Sequence, residues 1–227
     1  MASLEIIRKE IFDLTAQLVE VGLSCDQNFP ATRTFVGEAG AVTDLFISGV
    51  DEVSSALRER PYPEIYAGLR SKRAFNVLMI DGAMIQLRYR FRGEALLKHV
   101  LAFYPSPHLL EYQNDPEIYE LDLLYADVIS KDVVTIPVRF DFDDAAFEEF
   151  VHPKSHFSLG QYKNCRIPVR SALTPHRFVN FVLRAFYNTP FRAYCSDWRG
   201  TAPDFPGTVT RGEGVDLHLS FEVGGAD

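Results

Sequence analysis

Apolar residues recur in two rhythms along this chain, and the rhythms assign its elements. Near the start, Leu4, Ile7, Ile11, Leu14, Leu18 and Val21 follow alternating steps of three and four, the spacing of one helical face. The pattern predicts an amphipathic helix over 4–21, with Ser3 as its N-cap and Gly22 just past its end. Residues 24–50 are rich in Gly, Thr and Ala without a sustained period, and read as a long mobile loop holding one short strand near 42–47. Short helices are expected at 51–57 and 64–69, broken by Pro61 and Pro63.

Period two then takes over. Ile85, Leu87, Tyr89 and Phe91 alternate with Gln86, Arg88, Arg90 and Arg92, which predicts a half-buried strand over 84–92. Arg92-Gly93-Glu94 turns the chain into a more fully buried strand over 96–104. Val134, Ile136, Val138, Phe140 and Phe142 alternate with polar residues over 133–142. Pro137 has no N–H to give a ladder, so this strand is expected at a sheet edge or with a bulge. Extended pieces follow at 155–159 and 165–169. Thr174-Pro175 opens a helix over 175–187, with Phe178, Phe181, Val182, Ala185 and Phe186 as its buried face. Residues 196–214 read as a second mobile excursion, and Val215, Leu217, Leu219, Phe221 and Val223 predict a last strand over 215–223. With no internal repeat and no linker, the expectation is one α+β domain over 1–227. Its antiparallel or mixed sheet carries helices packed at both ends of the chain.

Composition changes this picture little: 18 Phe and 10 Tyr suit a β-rich core, because flat side chains pack well on pleated surfaces. Cys25, Cys165 and Cys195 lie far apart and form no CxxC pair, which argues against a disulfide framework or a structural zinc. The N-terminal stretch scatters charges among its apolar residues, unlike a signal peptide. No apolar run approaches the roughly 20 residues that span a bilayer. A cytoplasmic setting with no membrane partner is expected.

Charge changes it more. The net charge is −8, so the molecule as a whole is not a basic nucleic-acid binder. Residues 111–149 carry twelve acids against two bases, whereas residues 150–196 carry seven bases and no acid. A local basic block of this kind attracts an anionic ligand even on an acidic protein, unless the two blocks neutralise one another in the fold.

Candidate chemistry gathers in that basic block. His152 and His156 are four apart and share a face on a strand or a helix alike. Pro153 favours the extended reading, with Lys154 and Ser158 on the same side, while Gln161, Lys163 and Arg166 add donors suited to a phosphate. Two imidazoles beside cations suit metal-independent phosphodiester cleavage, with His152 and His156 sharing the acid and base roles. The same pair would also serve as metal ligands with Asp141 or Asp143 as a third, or as caps of turns that bond backbone carbonyls. Arg139 and Asp141 sit two apart on the preceding strand, where an ion pair is easily built. The Gln86, Arg88, Arg90, Arg92 row either tracks a phosphate backbone or is the wet side of a sheet. His99 shares a face with Leu101 and Phe103 and reads as a core histidine. No glycine-rich phosphate loop, GxSxG elbow, HExxH or EF-hand loop is present, so no cofactor and no metal site is assigned. His152, His156, Arg166 and the Arg139-Asp141 pair are expected to converge in one pocket, since only about eight residues separate their two segments.

The strings IDGAMIQLRYRF (80–91), HVLAFYPSPHLLEYQNDPEIY (99–119), IPVRFDFD (136–143) and HPKSHFSLGQYKNCRIPV (152–169) resemble a bacterial family, domain of unknown function 2290. Val100 departs from it, standing where a basic residue is expected after His99. The family implies no activity. Arg139-Phe140-Asp141 followed by His152 and His156 is also similar to TumE-type toxins, which implies a toxin or phage-defence effector. Two functions are therefore carried forward. One is an effector that binds, and in its fullest form cleaves, RNA or another phosphate-containing ligand. In it Asp141, His152 and His156 are catalytic, and Arg139, Lys154, Gln161, Lys163 and Arg166 hold the ligand. The alternative is a non-catalytic partner subunit or regulator, with a protein partner docking on the 24–50 and 196–214 loops and the Pro137 strand.

Overall fold

The computed structural model describes residues 2–37, 40–47, 60–107 and 135–222. Helix α1 spans Leu4–Glu20, and Ser3 caps it by accepting from the Ile6 N–H at 3.4 Å. It buries Ile7, Ile11, Leu14 and Leu18, the stripe that the spacing dictates. The helix stops where Gly22 takes a φ of 73°, a conformation that costs a residue without a Cβ little. Thr174 caps helix α3, Pro175–Phe186, through the Arg177 N–H. Its buried face is Phe178, Val179, Val182 and Leu183, with Ala185 exposed and Phe181 and Phe186 partly buried. The stripe is thus rotated from the one expected, because α3 packs against α1 as well as the sheet. Helix α2, Tyr62–Ser71, begins at the Pro61-Pro63 punctuation.

The described strands all pair antiparallel. Strands β4 (Val77–Met79), β5 (Met84–Arg92), β6 (Ala95–Tyr104), β7 (Val138–Asp143), β8 (Ser155–Leu159) and β9 (Ile167–Pro168) lie side by side in that order, with β1 (Ser24–Gln27) beyond β4. A hairpin of β2 (Ala31–Gly37) and β3 (Gly40–Phe46) joins the other end of β5. One sheet face presents Leu87, Tyr89, Phe91, Leu101, Phe103, Val138 and Phe140 to α1 and α3, forming the main core. On the opposite face α2 covers Met84, Ala102 and Tyr104 in a smaller cluster, and beyond it that face carries mostly polar side chains, with Val100 among them.

Several expectations are corrected. Residues 24–46 form three strands, not a loop with one. Thr32 to Val36 are exposed on both faces of β2, so no in–out alternation marks them. The Pro137 strand is interior, with β6 and β8 on its two sides. Pro137 precedes the ladder, where its missing N–H is not needed, and its carbonyl accepts from the Gly160 N–H at 2.7 Å. Residues 215–222 form no strand: Val215 and Leu217 are each 85% exposed. Leu219 is held by reciprocal bonds with Arg170 and Pro168 at 2.8 Å, and Arg177 lies over the Phe221 ring and donates to the Glu222 carbonyl at 2.8 Å. Alternation there finds no partner ladder to complete it. After α3 the chain continues in a short helical turn and a π-helical turn through Cys195, past the expected helix end at 187. Residues 196–214 are irregular, as expected, yet Glu10 of α1 fastens part of them by accepting from the Thr201 and Ala202 N–H groups. The helix expected at 51–57, residues 133–134 and 223 of the expected strands, and the acidic residues between 111 and 132 lie outside the described residues. No helix among the described residues is long and apolar enough to cross a membrane.

Candidate functional site

The open part of the polar face is organised by the register of β6, β7 and β8. Val100 lies opposite Asp141, and Asp141 lies opposite His156. In the neighbouring row Ala102, Arg139 and Ser158 are aligned in the same way. Because side chains alternate across a strand, Arg139, Asp141 and Asp143 all leave β7 on this face. Arg139 Nη2 donates to Asp141 Oδ2 at 2.7 Å, joining the two within their own strand.

The histidines arrive from β8 and the turn before it. Phe150 has a φ of 65°, unusual for a residue with a Cβ. It closes a turn in which Glu148 and His152 exchange backbone bonds at 3.0 and 2.7 Å. That turn brings the His152 ring to 4.7 Å from the His156 ring, edge on. His156 is 4% exposed. Its Nδ1–H donates to the Pro153 carbonyl at 2.9 Å, so in the neutral ring Nε2 carries the lone pair. Nε2 faces Asp141 Oδ2 at 3.7 Å.

Both imidazoles titrate below their ordinary 6.5. Burial is the main cause for each. For His152 the Arg166 guanidinium adds to the depression. For His156 the Asp141 carboxylate opposes it. Both rings feel Asp141 and Arg166, with Arg166 the larger charge influence on His152 and Asp141 the larger on His156.

These groups line an open cavity of about 550 Å³. Its walls hold the cations Lys98, Arg139, Lys163 and Arg166 against the carboxylates Asp141 and Asp143, a surplus of two positive charges on an acidic protein. Lys98 bonds Asp143 at 2.9 Å, whereas Lys163 and Arg166 make no ion pair with another described residue. Among the described residues, Arg139 Nε, Asp141 Oδ1 and His152 Nδ1 are buried without a hydrogen-bond partner. Such atoms are costly to leave unmet. A ligand with an acceptor oxygen for Arg139 and a hydroxyl donor for Asp141 would meet two of them.

The structure therefore brings together His152, His156, Arg139, Asp141, Arg166 and Lys163 in one cavity, together with Gln161, whose Nε2 donates to the Arg60 carbonyl at 2.8 Å. Lys154 does not join them. Its Nζ bonds Asp144 at 2.6 Å and lies over the Phe147 ring, because it precedes β8 and points away from its face. Among the described residues no three His, Cys, Asp or Glu side chains form a ligand group for a metal ion. His99 is a core histidine: its Nε2 accepts from the Leu173 N–H at 3.0 Å, and burial pushes its pKa down to about 4.

Sequence reasoning passed over Lys98, Tyr62, Tyr104 and Tyr162, which also line the cavity. The parity of Lys98 with Val100 within β6 would have found the first. Tyr104 shares that parity at the end of β6, whereas Tyr62 on α2 and Tyr162 in a loop carry no such signal and look like packing. The model of the family described as uncharacterized conserved protein DUF2290 matches residues 23–221. Neither a curated protein nor a solved structure matches the chain.

Proposed function

The chain belongs to the DUF2290 family, and we propose that it cleaves a phosphodiester by histidine acid–base catalysis in the cavity around Asp141. The observation that carries the reading is a pair of adjacent histidines, one of them facing Asp141, within a cationic pocket. His152, held neutral by burial and Arg166, is the general base. His156, whose protonated form Asp141 supports across 3.7 Å, is the general acid.

The chemistry needs a nucleophile beside the phosphate, and RNA carries one in its 2′-hydroxyl. His152 takes the 2′-OH proton as the oxygen attacks phosphorus. The bond from phosphorus to the 5′-oxygen breaks, and His156 gives that oxygen a proton. The products are a 2′,3′-cyclic phosphate and a 5′-hydroxyl. Arg166 and Lys163 bear the charge that develops on the non-bridging oxygens, and Arg139 Nε donates to the same group. Positioned proton transfer of this kind contributes about 10²- to 10⁴-fold. The likeness to TumE-type toxins supports placing such an activity in a toxin or phage-defence effector.

The test is cleavage of an end-labelled RNA by wild-type protein and by His152→Ala and His156→Ala, with a DNA of the same sequence alongside. RNA should be cut and DNA left intact, and each variant should lose at least about a hundredfold in rate. Equal cleavage by the folded variants would refute the assignment.

A further inference from the structure

The cavity does not end at its own wall. Lys98 and Val100 line it and also line a shallow depression over β5 and β3, whose other walls include Arg88, Arg90 and Asp44. The register explains the continuity. Arg88, Val100, Asp141 and His156 lie in one row across β5, β6, β7 and β8. In the next row Asp44, Arg90, Lys98 and Asp143 cross β3 to β7. Adjacent strands are about 4.8 Å apart, so Arg88 stands about 10 Å from Asp141 along the sheet. The two carboxylates of the second row hold the cations in place. Arg90 Nε donates to Asp44 Oδ1 at 2.6 Å, and Lys98 is bonded to Asp143.

On the cavity's other rim stands Tyr162, 77% exposed and next to Lys163. Its ring contacts no other described ring. An exposed aromatic beside a cation at the mouth of a cationic groove offers a stacking surface for a nucleobase.

We propose that the site takes single-stranded RNA several nucleotides long, not an isolated nucleotide. The chain runs from Tyr162, through the His152–His156 cavity, and over Lys98 towards Arg88 and Arg90. This rests on the phosphodiester reading above, and it adds the path of the flanking nucleotides. A base stacks on Tyr162 on one side of the cut. On the other side the backbone follows the cations of β6 and β5. A duplex is disfavoured, because its bases are already stacked and Tyr162 would have no free base face to meet.

Binding can be read apart from cleavage with 2′-O-methyl oligouridylates, which lack the attacking hydroxyl. Fluorescence anisotropy on the full chain would follow them from a mononucleotide to about six residues in length. Affinity should rise at least about tenfold over that range. It should also fall steeply between about 50 and 200 mM salt. Tyr162→Ala should weaken the longest probe about tenfold. Lys98→Gln and Arg88→Gln should each reduce the salt slope by about 0.7, and Arg88→Lys should restore it, which separates lost charge from lost structure. A mononucleotide that binds as tightly as the longest probe would overturn the path and leave the catalytic reading standing. Wild-type affinity in Tyr162→Ala, Lys98→Gln and Arg88→Gln alike would do the same. Absence of binding by every probe, together with uncut RNA, would overturn both.

Discussion

Asp141 Oδ2 lies 3.7 Å from His156 Nε2 across the β7–β8 ladder, and the same oxygen accepts from Arg139 Nη2 at 2.7 Å. One carboxylate oxygen therefore serves a permanent cation and a conditional one. In the proposed reaction Asp141 steadies the imidazolium form of His156. Asp141→Asn keeps the shape and removes the charge, and should slow cleavage about a hundredfold. Its largest effect should be on the alkaline limb of the pH profile, where His156 loses its proton, and that limb should move to lower pH. An unchanged profile would show that Asp141 has no influence on the acid.

Asp141 also has a structural duty. The Arg139 and Asp141 side chains are 23% and 13% exposed, so deleting the carboxylate strands a half-buried guanidinium. Asp141→Ala should destabilise the fold by about 3 kcal/mol, read from denaturant melts. Replacing both partners, Arg139→Met with Asp141→Leu, should recover most of that loss. Equal losses in the single and double variants would mean that the pair is not coupled.

The rate should peak on the acidic side of neutrality. Catalysis needs His152 neutral and His156 protonated, and both titrate below 6.5. A bell-shaped profile of kcat/KM with its maximum below about 6.5 is expected. An optimum above 8 would point to other groups.

His99 predicts acid sensitivity of the fold itself. Its folded pKa is about 4 against 6.5 in the unfolded chain. The stability it contributes is present above pH 6.5 and is lost as pH falls towards 4, an effect of about 3 kcal/mol. Histidine NMR should show His99 still unprotonated at pH 5. A His99 midpoint near 6.5 would contradict its burial and its bond to Leu173.

Much of the fold was legible because period two and period 3.6 survive wherever one face of an element is buried. α1, α3, β5 and β6 all meet that condition. The β2–β3 hairpin does not, since both faces of β2 meet solvent. Residues 215–222 show the converse, an alternating pattern that lacks a ladder. Pro137 misled because its position relative to the first ladder residue is not written in the sequence. For the site, the short link between 143 and 152 limited how far the segments could separate. The parity of 139, 141 and 143 then put their side chains on one face. The cross-strand pairing of Asp141 with His156 was beyond reach, because register depends on the Phe150 turn. The outward swing of Lys154 depends on Asp144, a local choice between two carboxylates that spacing does not decide.

The central claim is that two histidines and no metal ion are enough to cut RNA in this cavity. It is tested most directly by incubating the purified chain with a short single-stranded RNA in excess EDTA and weighing the fragments by mass spectrometry. The account predicts 5′-side fragments ending in a 2′,3′-cyclic phosphate, formed by wild type and not by His156→Ala of matched melting temperature. Uncut RNA in EDTA, or fragments ending in a 3′-hydroxyl, would contradict it.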